Sequence, residues 1–454
     1  MLDRVLSTIE SRKHQSLALL KEFLSIPSVS TKPEHKADMQ RCAMWVADQC
    51  RFAALETAVM QTPGHPIVVA KNKHLPNRPT VLFYGHYDVQ PPEPLDQWDT
   101  PPFEPTIRNG AIYARGAVDD KGQVWAHIEA LLAWQAHGGP PVNITMLIEG
   151  EEEIGSDHLE AFVKFHQESL RADICVISDT NQFARGLPAI TYGLRGIVYE
   201  ELTVSGPIRD LHSGLYGGAV QNPANVLVQL LASLHRPDGT VDIPGFYDDV
   251  VSISAAERAE WSALPHDDPA FASAIGVRAL AGEASYTTLE RLWVRPTCDI
   301  NGLTAAYQGV GAKTVIGAIA SAKLSMRLVP NQNPEAIRRS FESAMNDRAP
   351  KGVQLGFKNF GCNPAIVTPR QGHGIALASR AIFDGFGTLP VLIRSGGIIG
   401  AVEIIKRILR VDSLLVGFGL PDDAVHAPNE KFELESFFAG QRTAAALYAH
   451  LSDL

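Results

Sequence analysis

The stretch TVLFYGHYD, residues 80–88, is an apolar run that ends in a histidine and an aspartate. Three other runs have the same form: ITMLI at 144–148 leads into EGEEE, ICVI at 174–177 leads into SD, and LLVGF at 414–418 leads through a short loop into DDAVH. Short apolar runs that alternate with helical stretches indicate an α/β architecture with a mostly parallel sheet. Such sheets bind ligands beyond the carboxyl ends of their strands, so four polar loops are expected at one edge.

Helical periodicity precedes these strands, and a different pattern interrupts them. Apolar residues at helical spacing predict a helix over residues 2–24 and another over 39–54. Residues 196–366 instead hold strand-like segments with helices between them, which is typical of a sheet with one open face. We therefore predict a catalytic domain formed by residues 1–195 and 367–454, with an inserted α+β domain at 196–366 whose sheet is antiparallel.

Composition limits the function classes. The chain has 454 residues and a net charge of −10, with its 15 histidines counted as neutral. Nucleic acid and anionic membranes both need a basic face, so this charge argues against either as the main partner. The 5 cysteines form no CxxC pair, which indicates neither a disulfide framework nor a thiolate zinc site. No N-terminal stretch resembles a signal peptide, and we expect a soluble cytoplasmic protein.

Five residues of the polar loops are candidate metal ligands. Carboxylate oxygens bind hard divalent cations, and zinc also takes imidazole nitrogen. A two-metal site needs about five or six such ligands, one of them shared, and two metals ~3.5–4 Å apart polarise a carbonyl and generate hydroxide at neutral pH. The sequence supplies His86, Asp119, Glu153, Asp179 and His426.

The first two of these motifs also have structural explanations. In an extended strand, His86 and Asp88 face the same side, so the aspartate can hold the imidazole in place; the alternative is a loop histidine beside a solvated aspartate. Asp119 lies in a glycine-flanked turn before a helix predicted over residues 124–135. There Asp119 and Asp120 can instead cap that helix.

The later motifs leave similar alternatives open. Three adjacent carboxylates at 151–153 repel one another unless a cation is present, and one of them can act as general base; otherwise they form a solvated acidic helix start. Asp179 and His426 can be plain loop residues, and His212 can be a surface histidine in a glycine-rich loop. Phosphate-loop and GxSxG nucleophile motifs are absent from the sequence.

Taken together and in this order, these motifs resemble those of the M20 family of metallopeptidases, most closely the carnosinase-like dipeptidase branch. The motifs are FLSIPSVS, GHYDVQP, RGAVDDKGQ, EGEEEIGS, ISD, DLHSGLYGG, RLVPNQNP and VHAPNE, and they cover nearly the whole chain. The family also includes succinyl-diaminopimelate desuccinylases, acetylornithine deacetylases and glutamate carboxypeptidases. The resemblance implies a catalytic domain with an inserted lid domain, through which two chains form a homodimer.

The resemblance also implies two zinc ions per chain, with cobalt or manganese as alternatives. It assigns His86, Asp119 and Asp179 to one ion, and Asp119, Glu153 and His426 to the other. Asp119 would then bridge the two ions.

Catalytic and binding roles follow from the same resemblance. The family's Glu-Glu-x-Gly pattern makes Glu152 the general base on a water shared by the metals, and Asp88 would orient His86. His212 of the lid would reach the partner chain's active site and stabilise the oxyanion. The implied substrate-binding residues are Arg327, Asn301, Gly396 and Gly397.

One position departs from the dipeptidase pattern. Dipeptidases of this branch read Arg-Glu-Gly-Gly-Ser where this chain has RSGGI, residues 394–398, and their glutamate meets the substrate's free α-ammonium. Loss of that carboxylate removes a charge-assisted contact worth about 1.5–3 kcal/mol. The leading hypothesis is dinuclear zinc-dependent hydrolysis of an amide bond in a dipeptide or small amino-acid conjugate. An N-acyl-amino-acid deacylase and a non-catalytic small-molecule-binding protein stay open as alternatives.

Overall fold

A computed structural model describes all 454 residues of the chain, which forms two compact units. Unit 1 comprises Met1–Tyr192, Thr368–Ile393 and Ile399–Leu454, and unit 2 comprises Gly193–Val367 and Arg394–Ile398.

The units differ from the predicted domain limits in residues 193–195 and 367 at the boundaries, and in one short segment further along the chain. Residues 394–398 were predicted in the catalytic domain, whereas they group with unit 2. Within unit 2, the guanidinium of Arg394 forms an ion pair with the carboxylate of Glu257 at 2.5 Å. The guanidinium also lies 5.8 Å from the ring centroid of Trp261.

Strands and helices alternate along both units. The strands are β1 (Glu56–Met60), β2 (Ile67–Lys71), β3 (Thr80–His86), β4 (Thr106–Arg108), β5 (Ala111–Tyr113), β6 (Asn143–Glu149), β7 (Ile174–Ile177), β8 (Ala189–Leu194), β9 (Gly196–Ser205), β10 (Leu211–His212), β11 (Thr297–Ala305), β12 (Val315–Ile316), β13 (Ile319–Leu328), β14 (Gln354–Asn363), β15 (Ile366–Val367), β16 (Val391–Ser395), β17 (Ser413–Leu415) and β18 (Lys431–Glu433). The helices are α1 (Leu2–Leu24), α2 (Lys36–Phe52), α3 (Lys121–Gln135), α4 (Leu159–Phe165), α5 (Ser213–Tyr216), α6 (Pro223–Ala232), α7 (Ala255–Ser262), α8 (Asp268–Ala274), α9 (Thr288–Trp293), α10 (Pro334–Arg348), α11 (His373–Phe386), α12 (Gly400–Ile404) and α13 (Leu434–His450). None of these helices has the length and apolarity that a membrane span requires.

Unit 1 is built on a mixed sheet with the strand order β1-β2-β6-β3-β7-β17-β8. Its centre, β6-β3-β7-β17, is parallel, while β2 and β8 run antiparallel to their neighbours. Every residue of β6 and β7 is buried, as expected for parallel strands that are covered on both faces. The predicted parallel arrangement therefore holds at the centre of the sheet, where the four polar loops follow.

The first predicted helix is confirmed, and two others begin earlier than predicted. α1 has the predicted bounds, whereas α2 and α3 begin at Lys36 and Lys121 rather than at 39 and 124. In α3, Gly122 belongs to the first turn of the helix. A Cβ there would lie 2.0 Å from the carbonyl oxygen of Ala117, so the glycine allows a close approach of the backbone.

Unit 2 contains a four-stranded antiparallel sheet in the order β11-β13-β9-β14. Burial alternates along β9 with a period of two, so one face of the sheet packs on helices and the other is more open. The packed face includes Val198, Leu202 and Val204 of β9, with Phe341 of α10 and Leu227 of α6. This confirms the predicted sheet with one helix-covered face.

Candidate metal centre

Unit 1 carries a group of polar side chains at the carboxyl ends of its parallel strands. His86 is the last residue of β3, and Asp179 follows β7. Glu152 and Glu153 lie in a single 3-10 turn after β6. The loop after β17 carries His426, and Asp119 lies just before α3.

Asp119 lies between two imidazoles. Its Oδ1 is 3.2 Å from Nε2 of His86, and its Oδ2 is 3.0 Å from Nε2 of His426. Asp179 Oδ2 is 3.9 Å from His86 Nε2, and Glu153 Oε2 is 3.1 Å from His426 Nε2. Two sets of three ligand atoms result, each within 4.8 Å of one another, and both sets include Asp119.

The carboxylates of this site carry no lysine or arginine partner. Burial raises the pKa of Asp179, and the neighbouring carboxylates of Asp119 and Asp120 raise it further. Burial also raises the pKa of Glu152. Although burial opposes it, the adjacent imidazoles of His426 and His86 hold the pKa of Asp119 below its ordinary value. The site is thus a partly buried cluster of like charges, which a cation would stabilise.

The residues present fit divalent metal ions. His86 Nε2 is fully buried and has no hydrogen-bond partner, although an unsatisfied buried nitrogen is costly. Each set offers one imidazole nitrogen and two carboxylates, a donor combination that zinc accepts. A set of three protein ligands would leave an open coordination position on a bound ion, as in catalytic rather than structural zinc sites.

Comparison with known proteins assigns the family. Residues 82–450 match the family model described as Peptidase family M20/M25/M40. The chain belongs to this family. It is therefore a hydrolase of the metallopeptidase type.

Relatives of known name resemble the chain over its full length. The Cys-Gly metallodipeptidase dug1 of Schizosaccharomyces pombe is 32% identical, over 97% of this chain and 96% of that protein. The human Beta-Ala-His dipeptidase is also 32% identical, over 100% of this chain and 93% of that protein. The solved structure of the M20 family metallo-carboxypeptidase Sso-CP2 from Sulfolobus solfataricus is 30% identical, with a TM-score of 0.89 over 97% of this chain and 99% of that one.

In this M20 peptidase, Asp88 connects one imidazole to the turn that carries the glutamates. Nδ1 of His86 is 3.1 Å from the backbone oxygen of Asp88 and 3.3 Å from its Oδ1. The same carboxylate accepts the backbone N–H groups of Glu152 at 3.3 Å and Glu153 at 3.1 Å. Asp88 therefore contacts both the ring of His86 and the backbone of the glutamate turn.

Glu151 and Asp120 lie next to candidate site residues in the sequence but make different contacts. The carboxylate of Glu151 accepts the backbone N–H of His65 at 3.0 Å and lies 2.8 Å from Nδ1 of His158. Asp120 occupies the N-cap position of α3, yet its side chain caps nothing. Its Oδ2 accepts the backbone N–H of His86 at 3.2 Å instead, so helix capping does not explain this acidic pair.

Several residues that support the site were not predicted from the sequence. Gln90 donates from Nε2 to Glu153 Oε2 at 2.8 Å, which orients that carboxylate. Ser178, beside Asp179, donates its hydroxyl proton to the backbone oxygen of Val416 at 2.7 Å and lies 2.7 Å from Nε2 of the buried His127. Gln90 belongs to the GHYDVQP motif, but nothing in the spacing of that motif distinguishes it from a loop residue.

The remaining predicted site residues belong to unit 2. His212 is exposed, and its Nδ1 accepts the backbone N–H of Gly214 at 3.0 Å, so a neutral ring carries its proton on Nε2. Asn301 is the extra residue of a bulge in β11, and Arg327 lies in β13 opposite Ile197 of β9. Gly396 and Gly397 follow Ser395, whose Oγ accepts the N–H of Gly397 at 3.1 Å.

Proposed function

We propose that this M20 peptidase hydrolyses the amide bond of a dipeptide, or of a similarly small amino-acid conjugate, with a dinuclear zinc centre. The observation that carries the proposal is the position of Asp119, which offers one carboxylate oxygen to each imidazole. A bridging ligand requires this arrangement. The names of two relatives support a dipeptide substrate, since they are dipeptidases for Cys-Gly and Beta-Ala-His.

The proposed ligands are His86, Asp119 and Asp179 for one ion, and Asp119, Glu153 and His426 for the other. When bound, two such ions polarise the scissile carbonyl and lower the pKa of a water molecule toward neutrality. Cobalt or manganese can take the same donors.

Glu152 is the proposed general base. Its backbone N–H is held by Asp88, so its position is fixed relative to His86. It takes a proton from the attacking water and returns that proton to the leaving amine. Burial raises its pKa, and the positive charge of bound metal ions offsets this effect, which keeps the carboxylate ionised.

Arg327 is the proposed contact for the substrate carboxylate. Neither Arg327 nor its neighbour Arg195 forms an ion pair, and burial followed by the charge of Arg327 lowers the pKa of Arg195 to about 10. The carboxylate of Asp299 acts on both guanidinium groups, but one negative charge does not balance two positive ones, and the excess favours an anionic ligand. Asn301, Gly396 and Gly397 stay proposed substrate contacts.

An N-acyl-amino-acid deacylase is the second candidate. The observation that favours it is Ser395, which stands where related dipeptidases have a glutamate for the substrate ammonium. A serine hydroxyl provides no charge for that group. A substrate whose amine is acylated would not need one.

We further propose a cytoplasmic homodimer that associates through unit 2. Exposed apolar side chains of this unit support the association: Ile208 is 96% exposed and Leu215 is 76% exposed. His212 lies between them in the sequence, and we propose that it stabilises the oxyanion in the partner's site. Light scattering in solution would test the dimer, and activity regained by mixing His212→Ala with Glu152→Gln chains would test the shared site.

A paired substrate panel tests the function. Dipeptides and their N-acetylated forms are incubated with the zinc-loaded enzyme, with and without chelator, and released amino acids are measured. Chelator-sensitive cleavage of free dipeptides supports the dipeptidase, and cleavage confined to acetylated substrates supports the deacylase. Absence of any cleavage by a protein loaded with two zinc ions would contradict both and favour a non-catalytic binding protein.

A matched pair of variants tests the base. Glu152→Gln should lower kcat by at least about 100-fold, the lower end of the range for a general base, without loss of zinc. The control is Glu151→Gln, because that neighbour contacts His65 and His158 instead. Equal effects of the two changes would contradict the assignment.

A further inference from the structure

Glu430 lies four residues after His426 and is fully buried. Its carboxylate accepts four hydrogen bonds. Oε2 accepts from Arg115 Nη1 at 2.8 Å and from the backbone N–H of Gly116 at 2.9 Å. Oε1 accepts from the backbone N–H groups of Val118 at 3.0 Å and Asp119 at 3.1 Å.

All four donors belong to one segment, residues 115–119. Each carboxylate oxygen has two lone-pair directions, so the segment saturates the whole group. Gly116 allows this segment to curve around the Glu430 carboxylate. Its φ of +82° is a left-handed conformation, and a Cβ there would lie 2.7 Å from Val89 Cγ1. The backbone oxygen of Glu430 also accepts the N–H of Ala114 at 3.1 Å. Glu430 thus fastens the loop of Asp119 to the loop of His426.

The loop of His426 needs such an anchor. His426 and Asn429 have φ values of +61° and +62°, which cost energy in residues other than glycine and persist only where the surroundings fix them. Glu430 is the next residue, and its four hydrogen bonds hold this end of the loop. The 3.0 Å separation between His426 Nε2 and Asp119 Oδ2 depends on the register of both loops.

We propose that Glu430 is a positioning residue that sets Asp119 and His426 at the spacing the metal ions require. This inference rests on the dinuclear centre of the proposed function. Glu430 contacts no substrate, and its carboxylate has no free lone pair for a metal ion. It acts through the backbone N–H of Asp119 and through the C-terminal end of the loop that carries His426.

Glu430→Gln tests the proposal. The amide keeps the size of the side chain but replaces one acceptor oxygen by a donor, so two of the four N–H groups lose their acceptor and Arg115 loses its counter-charge. The matched control is Glu129→Gln. Glu129 is also fully buried and accepts from an arginine, Arg12, at 2.5 Å, but it receives no hydrogen bond from a ligand loop.

The measurement is the zinc dissociation constant of each full-length protein, by competition with a chromophoric chelator at neutral pH. Loss of an outer hydrogen-bond partner weakens metal binding by about 10- to 100-fold, and we expect this for Glu430→Gln but not for Glu129→Gln. The absorption spectrum of the cobalt-loaded protein should change in the first variant only, because it reports ligand geometry.

The outcomes separate this inference from the proposed function. If the unchanged protein binds no zinc, the dinuclear centre itself is wrong. If it binds zinc and Glu430→Gln binds as tightly as Glu129→Gln, with the same cobalt spectrum, the role of Glu430 is wrong. Should Glu430→Gln fail to fold, Glu430→Asp replaces it: the charge remains, but the shorter side chain cannot reach all four donors, so weaker zinc binding is again expected.

Discussion

His127 should make unit 1 less stable in acid, and the structure gives the size of the effect. The ring is fully buried in α3. The hydroxyl of Ser178 donates to the backbone oxygen of Val416 at 2.7 Å, so it must accept from Nε2–H of His127 at 2.7 Å. Nδ1 then accepts from the hydroxyl of Tyr448 at 2.9 Å. A neutral ring satisfies every partner, and a second proton would have to be buried with its charge.

Burial lowers the pKa of His127 from 6.5 to about 3. Below pH 6.5 the unfolded chain therefore takes up a proton that the folded chain does not, so stability falls as the pH falls. Linkage between the two pKa values gives a loss of about 2 kcal/mol between pH 7.5 and pH 5. The loss continues down to the folded pKa of about 3.

His127→Gln isolates this contribution. Glutamine keeps one donor and one acceptor but does not titrate in this range. Urea unfolding of the metal-free protein is followed by tryptophan fluorescence, since Trp125 and Trp134 lie in α3 with His127. The variant should be less stable at pH 7.5, and its deficit should shrink by about 2 kcal/mol at pH 5. A deficit that stays constant over this range would refute the reasoning.

Three further predictions concern the site and its substrate. Asp88→Asn should lower kcat/KM by about 10- to 100-fold, because an amide cannot accept the N–H groups of both Glu152 and Glu153; unchanged steady-state kinetics would count against this. Gln90→Leu should weaken zinc binding by about 10-fold, since Glu153 loses its hydrogen-bond donor, and calorimetry checks it; zinc binding equal to that of the unchanged protein would be inconsistent with it. Arg327→Ala should raise KM for dipeptides by about 10- to 150-fold, because a hydrogen bond to a charged group contributes about 1.5–3 kcal/mol. C-terminally amidated dipeptides lack the carboxylate, so their already poor cleavage should change little. An equal effect on both substrates would argue against carboxylate recognition.

The sequence predicts the location of the site because its signal is local. Apolar runs such as those before His86 and Asp179 mark buried strands. The polar residue that ends each strand can be recognised from the same short segment of sequence. The sheet then brings these ends to one edge. The antiparallel outer strands β1 and β2 are not predicted. In β1, exposed and partly buried residues follow one another without a regular alternation, so the strand has no clear hydrophobic period.

The supporting contacts could not be predicted from local patterns. Glu430 and Gln90 are ordinary polar loop residues in the sequence, at no spacing that indicates their partners. Their contacts join segments that are far apart in the chain, as the hydrogen bond from Gly116 to Glu430 does. The start of α3 was predicted too late for a related reason. Gly122 belongs to the first turn of the helix because only a glycine leaves room for the nearby backbone oxygen of Ala117, and this contact is not visible in the sequence.

The buried acids of unit 1 fall into two classes, and only the fold separates them. In the first class, N–H or O–H donors occupy the carboxylate: Glu149 accepts from the hydroxyls of Tyr84 at 2.6 Å and Ser156 at 2.9 Å, and Glu430 accepts from four donors. In the second class, the side chains of Glu152 and Asp179 receive no hydrogen bond, and Asp119 faces only imidazoles. Burying a carboxylate without donors is costly, so the first class stabilises loops by itself, whereas the second needs a positive charge from outside the chain. Glu149 of the first class and Glu152 of the second lie in one short acidic stretch of the sequence. This distribution of donors supports a cation site at Asp119 rather than at Glu149 or Glu430.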